Sequence, residues 1–278
     1  MAIDTQTWFS KGASGFGGST VGTFDKFEQS ANPKYHVGYQ VEQADGSIYR
    51  YVHFGATVNR GVLVACDVSE MSVADTDNVV IAPASAVAVA GESVKPGALG
   101  SRYVELTLAS IGVNRFQGAK LITTDDAGEG HTYDIIGNTA TDDPATGNIR
   151  IELLQPLQVA LDTTTDISIV ANKYHNLEIA TAGTDAIVVG VSCATILAAD
   201  NYGWIQTRGV CGVLQDATVA AIGEMVQLSA NTNGAVTVLG GTVAGSSLTA
   251  FRRTCLVGRM VDPGDSTGHS GVDLWLDA

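Results

Sequence analysis

Hydrophobic residues in this chain recur mainly with period two. From Tyr35 onward Val37, Tyr39 and Val41 alternate with polar or small residues; Asp45-Gly46 follows, and Ile48-Tyr49-Arg50-Tyr51-Val52-His53-Phe54 resumes the apolar pattern. A DG dipeptide between two such runs predicts a β-hairpin. Further strands are predicted over 61–66, 79–82, 87–89, 103–108, 119–123, 132–136, 148–153, 166–170, 186–194, 203–207, 255–261 and 272–276. A second hairpin pairs 225–228 with 235–238 across Asn233-Gly234. Turn clusters such as 126–130 and 142–147 separate the runs. Helical spacing is confined to two short stretches: 155–161, with Pro156 at a first helical position, and 218–225. The predicted class is all-β.

The organisation follows from breaks in this pattern. Residues 1–33 read as an extended N-terminal arm, because the Gly- and Ser-rich stretch 11–19 holds regular structure poorly. The arm nonetheless carries Trp8, Phe9, Phe16, Phe24 and Phe27. Apolar side chains on such a segment are candidate anchors for a partner, becoming ordered when they bind. A break at Pro96-Gly97 and a weak echo between 49–55 and 202–209 place 34–96 and 181–278 in one discontinuous β-domain. An inserted β-domain then covers 97–180. Two small sandwiches or barrels, one inserted in the other, are the expected architecture.

Composition narrows the function. Charged residues are 16% of the 278, where about 25% is usual, so the charge-rich disordered class is excluded. Lys and Arg number 15 against 29 Asp and Glu, a formal net charge of −14. Direct binding of nucleic acid or of an anionic membrane is therefore not expected. No secretory signal or membrane-spanning run is legible. Cys66, Cys193, Cys211 and Cys255 show no CxxC and no His at ligand spacing, which speaks against an ordinary zinc site. They read as free thiols from a reducing compartment, with a Cys193–Cys211 disulfide as the open alternative.

Catalytic patterns fail one by one. Gly268-His269-Ser270-Gly271 lacks the final glycine of a nucleophile elbow, no phosphate loop or HExxH occurs, and Gly15-Phe16-Gly17 lacks the third glycine of a dinucleotide fingerprint. The five histidines are scattered. The acidic cluster 125–130 does not follow calcium-loop spacing and reads as a solvated turn. The expectation is a non-enzyme without cofactor or metal.

Two stretches carry a resemblance. One runs Gly100-Ser101-Arg102-Tyr103-Val104-Glu105-Leu106, then Asn114-Arg115-Phe116-Gln117-Gly118, Gly130-His131-Thr132-Tyr133-Asp134-Ile135 and Leu154-Gln155-Pro156-Leu157. The other is Tyr202-Gly203-Trp204-Ile205-Gln206-Thr207-Arg208-Gly209-Val210. Over about residues 97–240 the chain resembles tailed-phage virion structural and capsid decoration (cement) proteins; Arg208 and Cys211 depart from the residues more common there. The resemblance implies a rigid β-body bound as a homotrimer to the outer surface of the major capsid shell, which it stabilises. It further implies synthesis in the host bacterial cytoplasm and residence on the capsid exterior, with the major capsid protein as partner. The alternatives are another virion position (tail, baseplate or head fibre), a carbohydrate-binding β-module or a hydrolase. Trp8, Trp204 and Trp275 are too dispersed to promise the aromatic row of a glycan groove.

Overall fold

The computed structural model describes residues 24–66, 72–73, 79–80, 93–108, 111–140, 148–183, 187–218, 220–239, 256–264 and 268–277. In chain order the strands begin with β1 (Gln29–Ser30), β2 (Gln40–Glu42), β3 (Ile48–Phe54) and β4 (Leu63–Cys66). They continue with β5 (Ser72–Val73), β6 (Val79–Val80), β7 (Tyr103–Thr107), β8 (Lys120–Asp125), β9 (Thr132–Asn138), β10 (Asn148–Leu153) and β11 (Asp166–Val170). The last are β12 (Leu177–Ile179), β13 (Ile187–Ser192), β14 (Asn201–Leu214), β15 (Met225–Leu228), β16 (Val236–Val238), β17 (Leu256–Asp262) and β18 (His269–Trp275). No helix occurs among the described residues, so the chain is all-β as the alternation predicts.

The chain divides into two compact units, one formed by residues up to Val68 with those from Lys173 onward, the other by Ser69–Asn172. In the first unit β3, β14, β13, β4 and β12 pair in a ring. The short parallel contact Leu177↔Phe54 between β12 and β3 closes it into a five-stranded barrel. Closure removes the unpaired edges that an open sheet would expose. Strand β14 pairs with β3 over its first half and with β18 over its second, and it also borders β13 and β1. The register shifts between Gln206 and Arg208, and Gly209 follows at φ +85°. A Cβ at Gly209 would lie 2.7 Å from Ser47 Oγ, so this bend requires glycine. Beyond β18 the sheet continues through β17, β15 and β16 over an apolar cluster that includes Val213, Val226, Val257, Met260 and Leu274.

The second unit is a seven-stranded sheet in the order β5-β11-β8-β9-β10-β7-β6. Period two is plain in β10, where Ile149, Ile151 and Leu153 are buried and the intervening positions are not. These residues share a core with Val104, Leu106, Leu121, Ile135, Ile167 and Ile169.

Three expectations need correction. The inserted unit starts at 69 and ends at 172, not at 97 and 180. β6 pairs with β7, whereas β12 pairs with β4. Pro96-Gly97, read as a boundary, lies in a turn of the second unit: the Gly97 N–H donates to the Tyr103 carbonyl, and the Gly97 carbonyl accepts from Leu161. The stretch 155–161 is not helical, because Leu157 and Leu161 are buried in the second core and their N–H groups donate to Ser101 and Gly97 instead. The described residues of 218–225 are not helical either: Ile222-Gly223 make a turn and β15 begins at Met225, and so short a helix would carry the cost of nucleation with little gain of propagation. The 87–89 strand, Cys255 and the 142–147 turn lie outside the described residues.

Candidate docking surface

The arm as predicted reaches residue 33, but its last ten residues already lie on the barrel. Asp25 makes the first turn: its carboxylate accepts the Phe27 N–H at 2.9 Å and its carbonyl the Glu28 N–H at 3.2 Å. β1 then pairs with β14, Gln29 opposite Gly203 and Ser30 opposite Tyr202. This close approach explains the glycine of the Tyr202-Gly203-Trp204 motif. A Cβ there would sit 3.3 Å from the Glu28 carbonyl oxygen and 3.3 Å from the Phe54 ring. Lys34 pairs with Glu28, and its N–H donates to the Tyr51 hydroxyl at 3.1 Å.

Phe24 is the innermost anchor. Its ring meets Trp204 edge-on at 4.8 Å and Tyr49 at 5.2 Å, in a cluster with Tyr51 and Cys193. Such tilted and edge contacts suit the ring quadrupoles. Phe24 thus packs on its own barrel, while Phe27 is 55% exposed with the Lys26 ammonium 5.3 Å from its ring centre. Trp8, Phe9 and Phe16 lie outside the described residues. Tyr35 and Tyr39 stack on each other at 5.3 Å, each about two-fifths exposed, with Tyr35 also against Trp204. Trp204 itself is buried, and its indole N–H has no hydrogen-bond partner. The echoed segments 49–55 and 202–209 turn out to be neighbours, β3 against β14 with Tyr51 opposite Trp204.

Beside this cluster a cleft of about 480 Å³ opens between the foot of the arm, the 59–61 turn and the β13–β14 wall. Lys26, Phe27, Arg60 and His269 line it together with Cys193 and Cys211. Cys193 and Cys211 are free thiols, which closes the disulfide alternative. Burial pushes the Cys193 thiol up to about 12 and Cys211 upward as well. Reactive and metal-binding cysteines need the thiolate, which this environment disfavours. Among the described residues no group of three or more His, Cys, Asp or Glu could hold a metal ion. The acidic cluster 125–130 forms the β8–β9 turn, with Gly130 N–H donating to Thr123 and Glu129 N–H to Asp126.

Sequence reasoning reached Phe24 and Phe27 but missed Lys26, Arg60, His269, Tyr35 and Tyr39 as surface features. Arg60 and His269 are 209 positions apart, and no local pattern could have joined them.

No family model, curated protein or solved structure matches the chain. Among the described residues no helix is long and apolar enough to cross a membrane.

Proposed function

We propose that this chain is a capsid decoration protein of a tailed phage. In this reading it binds the outside of the major capsid shell as a homotrimer, stabilises that shell without catalysis, and grips it through the arm. The observation that carries the reading is the fixed root of the arm. Phe24 and β1 fasten residues 24–30 to a closed barrel, and the 23 preceding residues bring Trp8, Phe9 and Phe16. An arm rooted in a rigid body transmits load from the shell to that body. Each buried aromatic contributes ~1.5–3 kcal/mol before ordering costs, and those costs are large for a Gly-rich segment. Three arms on one trimer engage together and gain avidity without new contacts, and a three-fold particle site matches that symmetry. The acidic surface keeps the body soluble and away from the packaged genome.

Stacking of Tyr35 on Tyr39 leaves little free ring face for a sugar, which weighs against the carbohydrate-binding alternative. Copy number separates decoration from a tail, baseplate or fibre role. Quantitative mass spectrometry of purified particles should give copies in proportion to capsid subunits. A handful of copies per particle would assign the chain to the tail or baseplate instead.

A further inference from the structure

We infer that the cleft bounded by Lys26, Arg60 and His269 is a binding site for carboxylates, occupied by an acidic segment of a protein partner. The inference does not depend on what the arm grips. Acids outnumber bases almost two to one in this chain, and half of the other described cations are held in ion pairs. Lys34 pairs with Glu28, Arg50 with Asp277, Lys120 with Asp134, Arg150 with Glu105 and Arg259 with Asp273. Lys26 and Arg60 join no such pair, and no Asp or Glu is among the residues lining the cleft. Two permanent cations and an imidazole therefore line one concavity that no carboxylate of the described residues shares.

The backbone is shaped for this arrangement. Gly61 has φ +74°, and a Cβ on it would lie 2.6 Å from the His269 ring. Only glycine at 61 lets that imidazole rest at the cleft wall, its Nε2 3.4 Å from the Arg60 carbonyl oxygen. On another wall a Cβ at Gly212 would meet nothing within 4 Å, so the space above it is open. The rest of the lining is partly apolar, from Phe27, Val191, Cys193 and Cys211. Such a lining suits the methylene stem of an acidic side chain beneath a charged head. Arg and Lys side chains also pair with phosphate, so inorganic phosphate is the control that separates the two anions. The overall charge of −14 repels an acidic partner at long range, but screening confines that repulsion to about 8 Å at physiological salt. Only a carboxylate that enters the cleft gains the local attraction, which favours selectivity over indiscriminate binding.

The test uses the full chain, labelled for amide ¹H–¹⁵N spectra, and three probes at matched ionic strength. These are a blocked tetraglutamate peptide, the corresponding tetraglutamine peptide and inorganic phosphate. The glutamate peptide alone should shift the amides of Gly61, Cys193 and Gly212. Arg60→Glu and Lys26→Glu should each weaken it by roughly ten-fold or more. Gly212→Glu places a carboxylate at the open wall and should block the peptide while the remaining amide spectrum stays folded. The proposal is overturned by no shift with tetraglutamate, by equal shifts with tetraglutamine or phosphate, or by charge-reversed chains that bind as the parent does.

Discussion

Trp204 is the side chain on which the barrel and the arm meet. It is buried among Phe24, Tyr35, Tyr51 and Tyr49, yet its indole N–H satisfies no acceptor. Its contribution is thus packing, not hydrogen bonding. Trp204→Ala should cost about 3–5 kcal/mol in denaturant unfolding, and Trp204→Phe clearly less, since no bond is lost with the nitrogen. Equal losses for the two variants would show that the N–H does have a partner. Cys193 sets a second expectation. Its thiol has an ordinary value of 9.0, and burial raises it to about 12; burial likewise lifts Tyr49 from 10.0 to about 12. Above the ordinary values the unfolded chain loses protons that the folded chain keeps. Stability is therefore fully present below about pH 9 and falls as pH rises towards 12, at up to ~1.4 kcal/mol per pH unit for each group. Cys193→Ala should flatten that fall in a series of denaturant midpoints between pH 8 and 11. The burial of both thiols was legible as cysteines in apolar strands. Their place beside Lys26 was not, because it depends on the arm folding back over β14.

Strands were the most legible elements, and for a physical reason. Alternation in β10 and β11 places one row of branched side chains on one face of a half-buried sheet, and no other regular structure does so. Both hairpins formed. Asp45-Gly46 sits between β2 and β3 with Glu42 opposite Ile48. Asn233-Gly234 sits between β15 and β16, but Leu228 pairs with Val236, so the connection is longer than a two-residue turn. Ser229 organises it, accepting the N–H groups of Asn231 and Thr232 while its hydroxyl donates to the buried Asp216. The full length of β14 was not legible, because a glycine and a register shift at 206–209 read as an end when they are a bend. Nor was the true extent of the arm. Its last residues look like linker in sequence, and only the β1–β14 pairing makes them part of the body. A paired truncation measures this. Removing 1–30 should lower unfolding stability by about 2 kcal/mol or more relative to removing 1–23, through loss of Phe24 packing and the β1 hydrogen bonds. Equal stability of the two would mean that 24–30 contribute nothing to the barrel.

For the molecule as a whole, two β-units in one chain, a net charge of −14 and an aromatic-bearing arm are the features on which the proposed structural role rests. Domain boundaries were misplaced in sequence because Pro96-Gly97 looks like a break, whereas its backbone bonds tie it into the second unit. The chemistry expected of the arm can now be separated from the stability of the body, since the truncation at residue 23 keeps Phe24 and β1. The most direct test of the proposed capsid role mixes purified full-length protein or the chain lacking 1–23 with undecorated capsids of the tailed phage that this proposal makes its source, then pellets the shells. The account predicts that full-length protein sediments with the shells to saturation, while the shortened chain, folded by its circular dichroism, stays in the supernatant. Equal occupancy by the shortened chain, or no binding by the full-length protein, would contradict it.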